Sequence, residues 1–302
     1  MTRKNARATA AGMLSILIWG TSPLLIRLLE LRLGTMATVS LAFLGPGLIG
    51  LAGCLTTAKG FDRRLFADRL FYVRWATFLA AEALVTAAIL LVGKPSLPMV
   101  ILLNFLWPTS VVLCGILFRT VAVRRGGAVL AGGCAIVAGL AAELLAPSGL
   151  AVGPPGLVDA ACFAMAASGS ASWGVFTALS TRAGDGAGGT AAVSLFQASI
   201  GVLAIPALLA SDGAAWQAMG GWTAAAAVGY CLVQFVAYAG WDMGARKGDV
   251  VLLGVTANAL PWIAIGASRV VLDAEIGLRT VATAAAVGIG AAMTRYGTTQ
   301  GG

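Results

Sequence analysis

Residues 97–118 read LPMVILLNFLWPTSVVLCGILF, and this stretch decides how the chain is understood. Its 22 positions hold no charged residue. At about 1.5 Å per helical residue, that length crosses the roughly 30 Å hydrocarbon core of a bilayer. Yet Asn104, Trp107 and Pro108 stand in its middle. Proline removes a backbone donor and frees a carbonyl that lipid cannot satisfy, so this depth should face protein or a wet cavity.

Working outward, nine further apolar stretches of similar length follow the same rule. The ten spans expected are about 8–29, 34–55, 71–92, 97–118, 126–145, 157–180, 189–210, 220–243, 249–271 and 276–294. Over the 302 residues, 59% are apolar and 11% are charged, against about 25% charged in a soluble domain. That balance excludes a soluble enzyme, a disordered chain and a nucleic-acid partner. The chain has no histidine, which removes His-based triads, the usual His metal sites and His-ligated haem. Its five cysteines form no CxxC and read as small buried hydrophobes. No catalytic residue, metal or cofactor is expected. The first span follows Arg3, Lys4 and Arg7 and is too long for a signal-peptide core, so a retained helix is expected.

With the chain started in the cytoplasm, fifteen of the twenty Lys and Arg fall inside, including Arg74, Arg119, Arg124, Arg125 and Arg295. Five fall outside: Arg27, Arg32, Lys94, Arg269 and Arg279. This is the positive-inside bias, with both termini cytoplasmic, and topology accounts for the net charge of +8 without an anionic partner.

The two halves echo each other. Ile18-Trp19-Gly20-Thr21-Ser22, followed by Arg27, matches Ser172-Trp173-Gly174-Val175-Phe176, followed by Arg182. Lys94 precedes Asn104-Phe105-Leu106-Trp107-Pro108, as Lys247 precedes Asn258-Ala259-Leu260-Pro261-Trp262. Residues 1–148 and 149–302 are therefore expected to be two repeats of five spans, the second inverted. The fold class expected is an all-α membrane protein of ten transmembrane helices arranged as two inverted five-helix repeats around a central cavity. Secondary transporters are built in this way, with the substrate near the midplane.

Polar residues at the middle of a span are costly and point to a site. Glu82 is the acidic residue at a span centre, and Trp75, Phe78, Glu82 and Thr86 share one helical face. Tyr230, Gln234, Tyr238 and Trp241 make a second stripe, and Gln197 sits near the middle of its span. The expected substrate-binding residues are Trp19, Trp75, Phe78, Glu82, Asn104, Trp107, Trp173, Gln197, Tyr230, Gln234, Tyr238, Asn258 and Trp262. The aromatic rings would stack on a flat side chain, and the amides would meet a zwitterionic head. Glu82 would pair with an ammonium group or carry a proton. Pro108 and Pro261 are expected as hinges. Spans five and ten carry instead small-residue faces, which suit close helix packing: Ala128, Ala131, Gly132, Ala135 and Gly139 on one, and on the other Ala284, Gly288 and Ala292 together with Ala282, Ala286 and Gly290.

With these residues in view, the whole chain resembles the drug/metabolite transporter superfamily in its ten-span, EamA-repeat branch. Within it, Ile18-Trp19-Gly20-Thr21, Ala81-Glu82, the Asn104–Pro108 run and Tyr238–Gly244 are similar to the bacterial aromatic amino-acid exporters. The resemblance implies an exporter of aromatic and other neutral amino acids in the bacterial inner membrane, acting as a monomer or weak homodimer. It also implies that spans five and ten stand outside the central cavity. A carrier for other metabolites or lipophilic cations, a channel and an intramembrane enzyme remain alternatives.

Overall fold

The computed structural model describes residues 3–56, 63–92, 96–145, 156–183, 188–210, 220–260, 262–263 and 278–300. It is an all-α fold. Five helices among the described residues are long and apolar enough to cross a membrane: Thr35–Thr56, Arg69–Leu91, Leu157–Ala183, Gly189–Ala210 and Gly221–Lys247. In chain order we label α1 Arg3–Leu33, α2 Thr35–Thr56, α3 Arg69–Leu91, α4 Leu97–Asn104, α5 Trp107–Leu117, α6 Gly126–Leu145, α7 Leu157–Ala183 and α8 Gly189–Ala210. Then follow α9 Gly221–Lys247, α10 Val250–Thr256 and α11 Leu278–Tyr296, with short 3-10 turns at Arg63–Ala67 and Ala257–Ala259. One small departure from all-α is a two-stranded antiparallel ribbon, β1 Val121–Val123 with β2 Thr298–Gln300.

The chain forms two compact units, and neither coincides with a sequence half. One takes Met1–Tyr72 with Ala183–Gly248; the other takes Val73–Arg182 with Asp249–Gly302. Each unit therefore draws on both halves.

In the first unit α2 packs along α8 and α1 along α9. Small residues set the approach. A side-chain carbon on Gly47 would meet the backbone nitrogen of Ala198 at 2.5 Å, and one on Gly240 would meet the Ala11 carbonyl at 2.8 Å. Backbones at that separation tolerate no methyl group, which is how membrane helices gain van der Waals contact where lipid supplies no hydrophobic drive. Gly34 ends α1 at φ +77 and donates to the Glu30 carbonyl at 2.8 Å, a left-handed C-cap suited to glycine.

In the second unit α6 packs along α11. The small-residue faces expected for spans five and ten meet each other there. Gly132 lies against Gly290 and Thr294, and Gly139 lies against Ala286. The Thr283 hydroxyl donates to the Gly139 carbonyl at 3.3 Å.

The stretch 97–118 is not one helix. It breaks at Phe105 and Leu106, and α5 starts with Trp107 and Pro108 at its first two positions. Proline suits a helix start, because that position needs no intrahelical donor. The matching run in the second half is interrupted as well: α10 ends at Thr256 and continues as the 3-10 turn Ala257–Ala259. Pro261 lies outside the described residues, as do residues 264–277, which include the end of the ninth expected span. α5 closes through Arg119, which adopts φ 61. Its backbone N–H donates to Ile116 at 3.1 Å, and that of Thr120 donates to Gly115 at 2.8 Å. That turn carries the chain into β1.

Candidate functional site

The sequence-expected residues fall into two groups, one in each unit.

In the first unit the face shared by α1 and α9 is aromatic and polar. The Trp19 ring lies 5.2 Å from that of Tyr238, edge-on at 71°, and 5.6 Å from that of Trp241. Gln234 is 4% exposed and its amide is held in one orientation. Nε2 donates to the Ser22 hydroxyl at 2.8 Å and to the Tyr230 hydroxyl at 3.0 Å. Ser22 in turn donates its hydrogen to the Ile18 carbonyl at 3.0 Å, so its oxygen faces Gln234 as an acceptor. The relay leaves Oε1 of Gln234 buried without a hydrogen-bond partner among the described residues. Gln197 on α8 is 1% exposed, and its Nε2 is likewise without one.

In the second unit Trp173 is the hub. Its ring lies 5.3 Å from Phe176, 5.7 Å from Phe78 and 6.1 Å from Trp107. Offset and edge-on aromatic pairs of this kind are worth about 0.5–1.5 kcal/mol each beyond area burial. On the part of α3 in this unit the buried positions are Arg74, Phe78, Ala81 and Ala88. Trp75, Glu82 and Thr86 lie beside that stripe and are half-buried. Asn104 is half-buried, and its carbonyl accepts from the Ser170 hydroxyl at 2.8 Å, as does that of Leu103. Pro108 cannot donate to the Asn104 carbonyl four residues back, and Ser170 supplies the missing donor from α7. Asn258 plays the equivalent part on its own helix: Nδ2 donates to the Gly254 carbonyl at 2.7 Å, while Oδ1 is buried with no hydrogen-bond partner among the described residues. Trp262 is 39% exposed, with its indole beside Gly288 of α11, and stands apart from the ring cluster around Trp173.

Sequence reasoning missed several members. Arg74, assigned to the cytoplasmic border, is 1% exposed, with Nε donating to the Ser180 hydroxyl at 3.0 Å and its guanidinium 5.7 Å from the Phe176 ring. Position within a span end does not reveal that a long side chain turns inward. Asp242 is 1% exposed and pairs with Arg246 at 2.7 Å. Their four-residue spacing on α9 was a readable signal. Ser22 and Ser170 carried none, since serine is common in small-residue helix faces. Among the described residues, no cluster of three potential His, Cys, Asp or Glu ligands exists for a metal.

No family model matches the chain, and no curated protein does. A solved crystal structure, described without a function, is similar over 96% of this chain and 96% of its own length, with a TM-score of 0.72 and 20% identity. At that identity the likeness shows the fold alone.

Proposed function

We propose that the chain is a secondary transporter of the drug/metabolite transporter type. In this reading it exports aromatic and other neutral amino acids across a bacterial inner membrane, with both termini in the cytoplasm. Ten spans form two inverted repeats around a central cavity, and access alternates between the two sides. It is a carrier and not an enzyme, and it needs no cofactor.

The observation that supports this is the presence of buried amide atoms with unused hydrogen-bonding capacity in apolar helices: Gln197 Nε2, Gln234 Oε1 and Asn258 Oδ1. A buried polar atom left unpaired costs about 1–3 kcal/mol, and such a cost is kept where a ligand or water meets it. The paired helix interruptions at Asn104–Pro108 and Thr256–Ala259 add to this, since broken helices shape transporter sites. Aromatic rings around Trp173 and beside Trp19 suit a flat apolar side chain, and the amides suit its zwitterionic head. Glu82 pairs with the ammonium group or carries a proton.

The test is flux through purified protein in liposomes, with labelled phenylalanine, threonine and tetraphenylphosphonium, each with and without a pH gradient. Saturable phenylalanine flux, competed by tryptophan and not by the cation, supports the reading. Cation flux without phenylalanine flux favours a lipophilic-cation carrier, and single-channel currents favour a pore. Trp107→Ala should raise the apparent KM for phenylalanine about 2- to 12-fold, the value of one ring contact. Glu82→Gln should flatten the pH dependence of flux; unchanged pH dependence would remove Glu82 from the mechanism.

A further inference from the structure

An exposed face of the second unit carries a feature that the transport reading does not use. Between α5 and α6 runs an open groove of about 560 Å³, lined by Leu113 of α5 and by Val129, Leu130, Cys134 and Val137 of α6. Gly133 keeps it open, since a side-chain carbon there would meet nothing within 4 Å. The groove extends from Val129 to Ala138, about 14 Å along a helix axis, which matches half of a ~30 Å hydrocarbon core. It is therefore as deep as one leaflet.

Its chemistry changes at one end. The turn after α5 carries Arg119 and the link from β1 to α6 carries Arg124 and Arg125, all exposed, and no acidic side chain among the described residues pairs with them. Nearby Arg295 does have a carboxylate, Asp249 at 3.6 Å. The backbone N–H groups of Arg124 and Arg125 both donate to the Gly297 carbonyl, at 2.8 and 3.0 Å, which fixes the two arginines to the end of α11. The Arg125 guanidinium lies 4.2 Å from the centre of the Tyr296 ring, and Tyr296 is 65% exposed. An exposed tyrosine of this kind marks the headgroup level of a bilayer. Arg119 closes the end of α5, its N–H donating to Ile116 at 3.1 Å, and the Val129 N–H at the end of the groove donates to the Arg125 carbonyl at 3.3 Å. The cationic group thus stands at the mouth of the apolar groove.

We propose that this face binds one anionic phospholipid, with an acyl chain in the α5–α6 groove and its phosphate and net negative charge at Arg119, Arg124 and Arg125. Charge complementarity selects the occupant. A zwitterionic lipid could fill the groove but would leave three arginines unanswered, and a free phosphate would leave the groove empty. The small-residue face of α6 is already engaged by α11, so the groove lies on a different side of the helix. The proposal goes beyond transport and holds whatever the substrate is.

Native mass spectrometry of the full-length protein, released from mixed phosphatidylglycerol and phosphatidylcholine micelles, tests it. Each arginine near a charged headgroup is worth about 1 kcal/mol, or roughly fivefold. The native chain should retain phosphatidylglycerol over phosphatidylcholine by at least that factor, with inorganic phosphate failing to displace it. The combined Arg119→Gln, Arg124→Gln and Arg125→Gln variant should lose the preference. Gly133→Leu, which fills the groove, should lower retention of both lipids while Arg-dependent selectivity for whatever remains persists. Equal retention of the two lipids by the native chain, a preference that survives the triple substitution, or displacement by inorganic phosphate would overturn the assignment. So would an efficient Cys134–Cys134 cross-link in bilayers, which would place a second copy on this face.

Discussion

Ser170 serves two carbonyls at once. Its hydroxyl lies 2.8 Å from both the Leu103 and the Asn104 oxygens, at the point where Pro108 withholds a donor. Ser170→Ala should therefore lower stability by about 1–2 kcal/mol, read as a reduced Tm in detergent, while Ser168→Ala at an exposed site of the same helix leaves it unchanged. Gln234 makes a similar case. Gln234→Leu takes donors from both Ser22 and Tyr230 and should cost about 1–3 kcal/mol. At this scale the sequence showed which residues were expensive, because Asn104, Gln197, Gln234 and Asn258 interrupt apolar runs. It did not show their partners. Ser22 and Ser170 come from distant parts of the chain, and nothing in a serine announces a carbonyl in need.

The turn after α5 is the element where local chemistry and backbone disagree. Arg119 holds φ 61, a region that costs an L residue roughly 1–2 kcal/mol. Arg119→Gly should raise stability by up to about 1 kcal/mol, after allowance for the greater freedom of glycine in the unfolded chain. The α6–α11 pair permits a sharper comparison between neighbours. A side-chain carbon at Gly132 would lie 2.5 Å from the Thr294 hydroxyl and 2.8 Å from its backbone nitrogen, whereas one at Gly133 meets nothing. Gly132→Val should cost about 1–3 kcal/mol or more, and Gly133→Ala should be tolerated, both measured by thermal unfolding in detergent. The contrast between the two glycines was partly legible in the sequence, since Gly132 shares a helical face with Ala135 and Gly139 and Gly133 does not. The small-residue spacing of the two helices was legible, and so was the disturbance at Asn104–Pro108. The break itself falls two residues before the proline, because the ring fits best in the first turn of a new helix.

For the whole molecule, hydropathy indicated helices long and apolar enough to span a membrane, as the structure has them, and charge placement predicts a sidedness. Reporter fusions at both ends should report cytoplasm if the fifteen-to-five partition of Lys and Arg governs insertion. Cysteine exposure offers a second check. Cys134 is exposed on the groove face, while Cys162 and Cys231 are buried within the protein, so a small apolar thiol reagent should reach Cys134 first and the other two only on unfolding. The composition of the two compact units could not be read in advance. An apolar face specifies that a helix needs a neighbour and leaves open which neighbour, so the halves at 1–148 and 149–302 gave no hint that each unit would recruit from both. That interleaving has a consequence for how the protein is made. The first unit cannot close until the segment Ala183–Gly248 has left the ribosome, and the second waits for Asp249–Gly302. The ribbon joining Val121–Val123 to Thr298–Gln300 fastens only after that late strand has emerged. Helices inserted early must wait in the bilayer without their final neighbours, dependent on lipid or on the insertion machinery to keep their polar centres out of trouble.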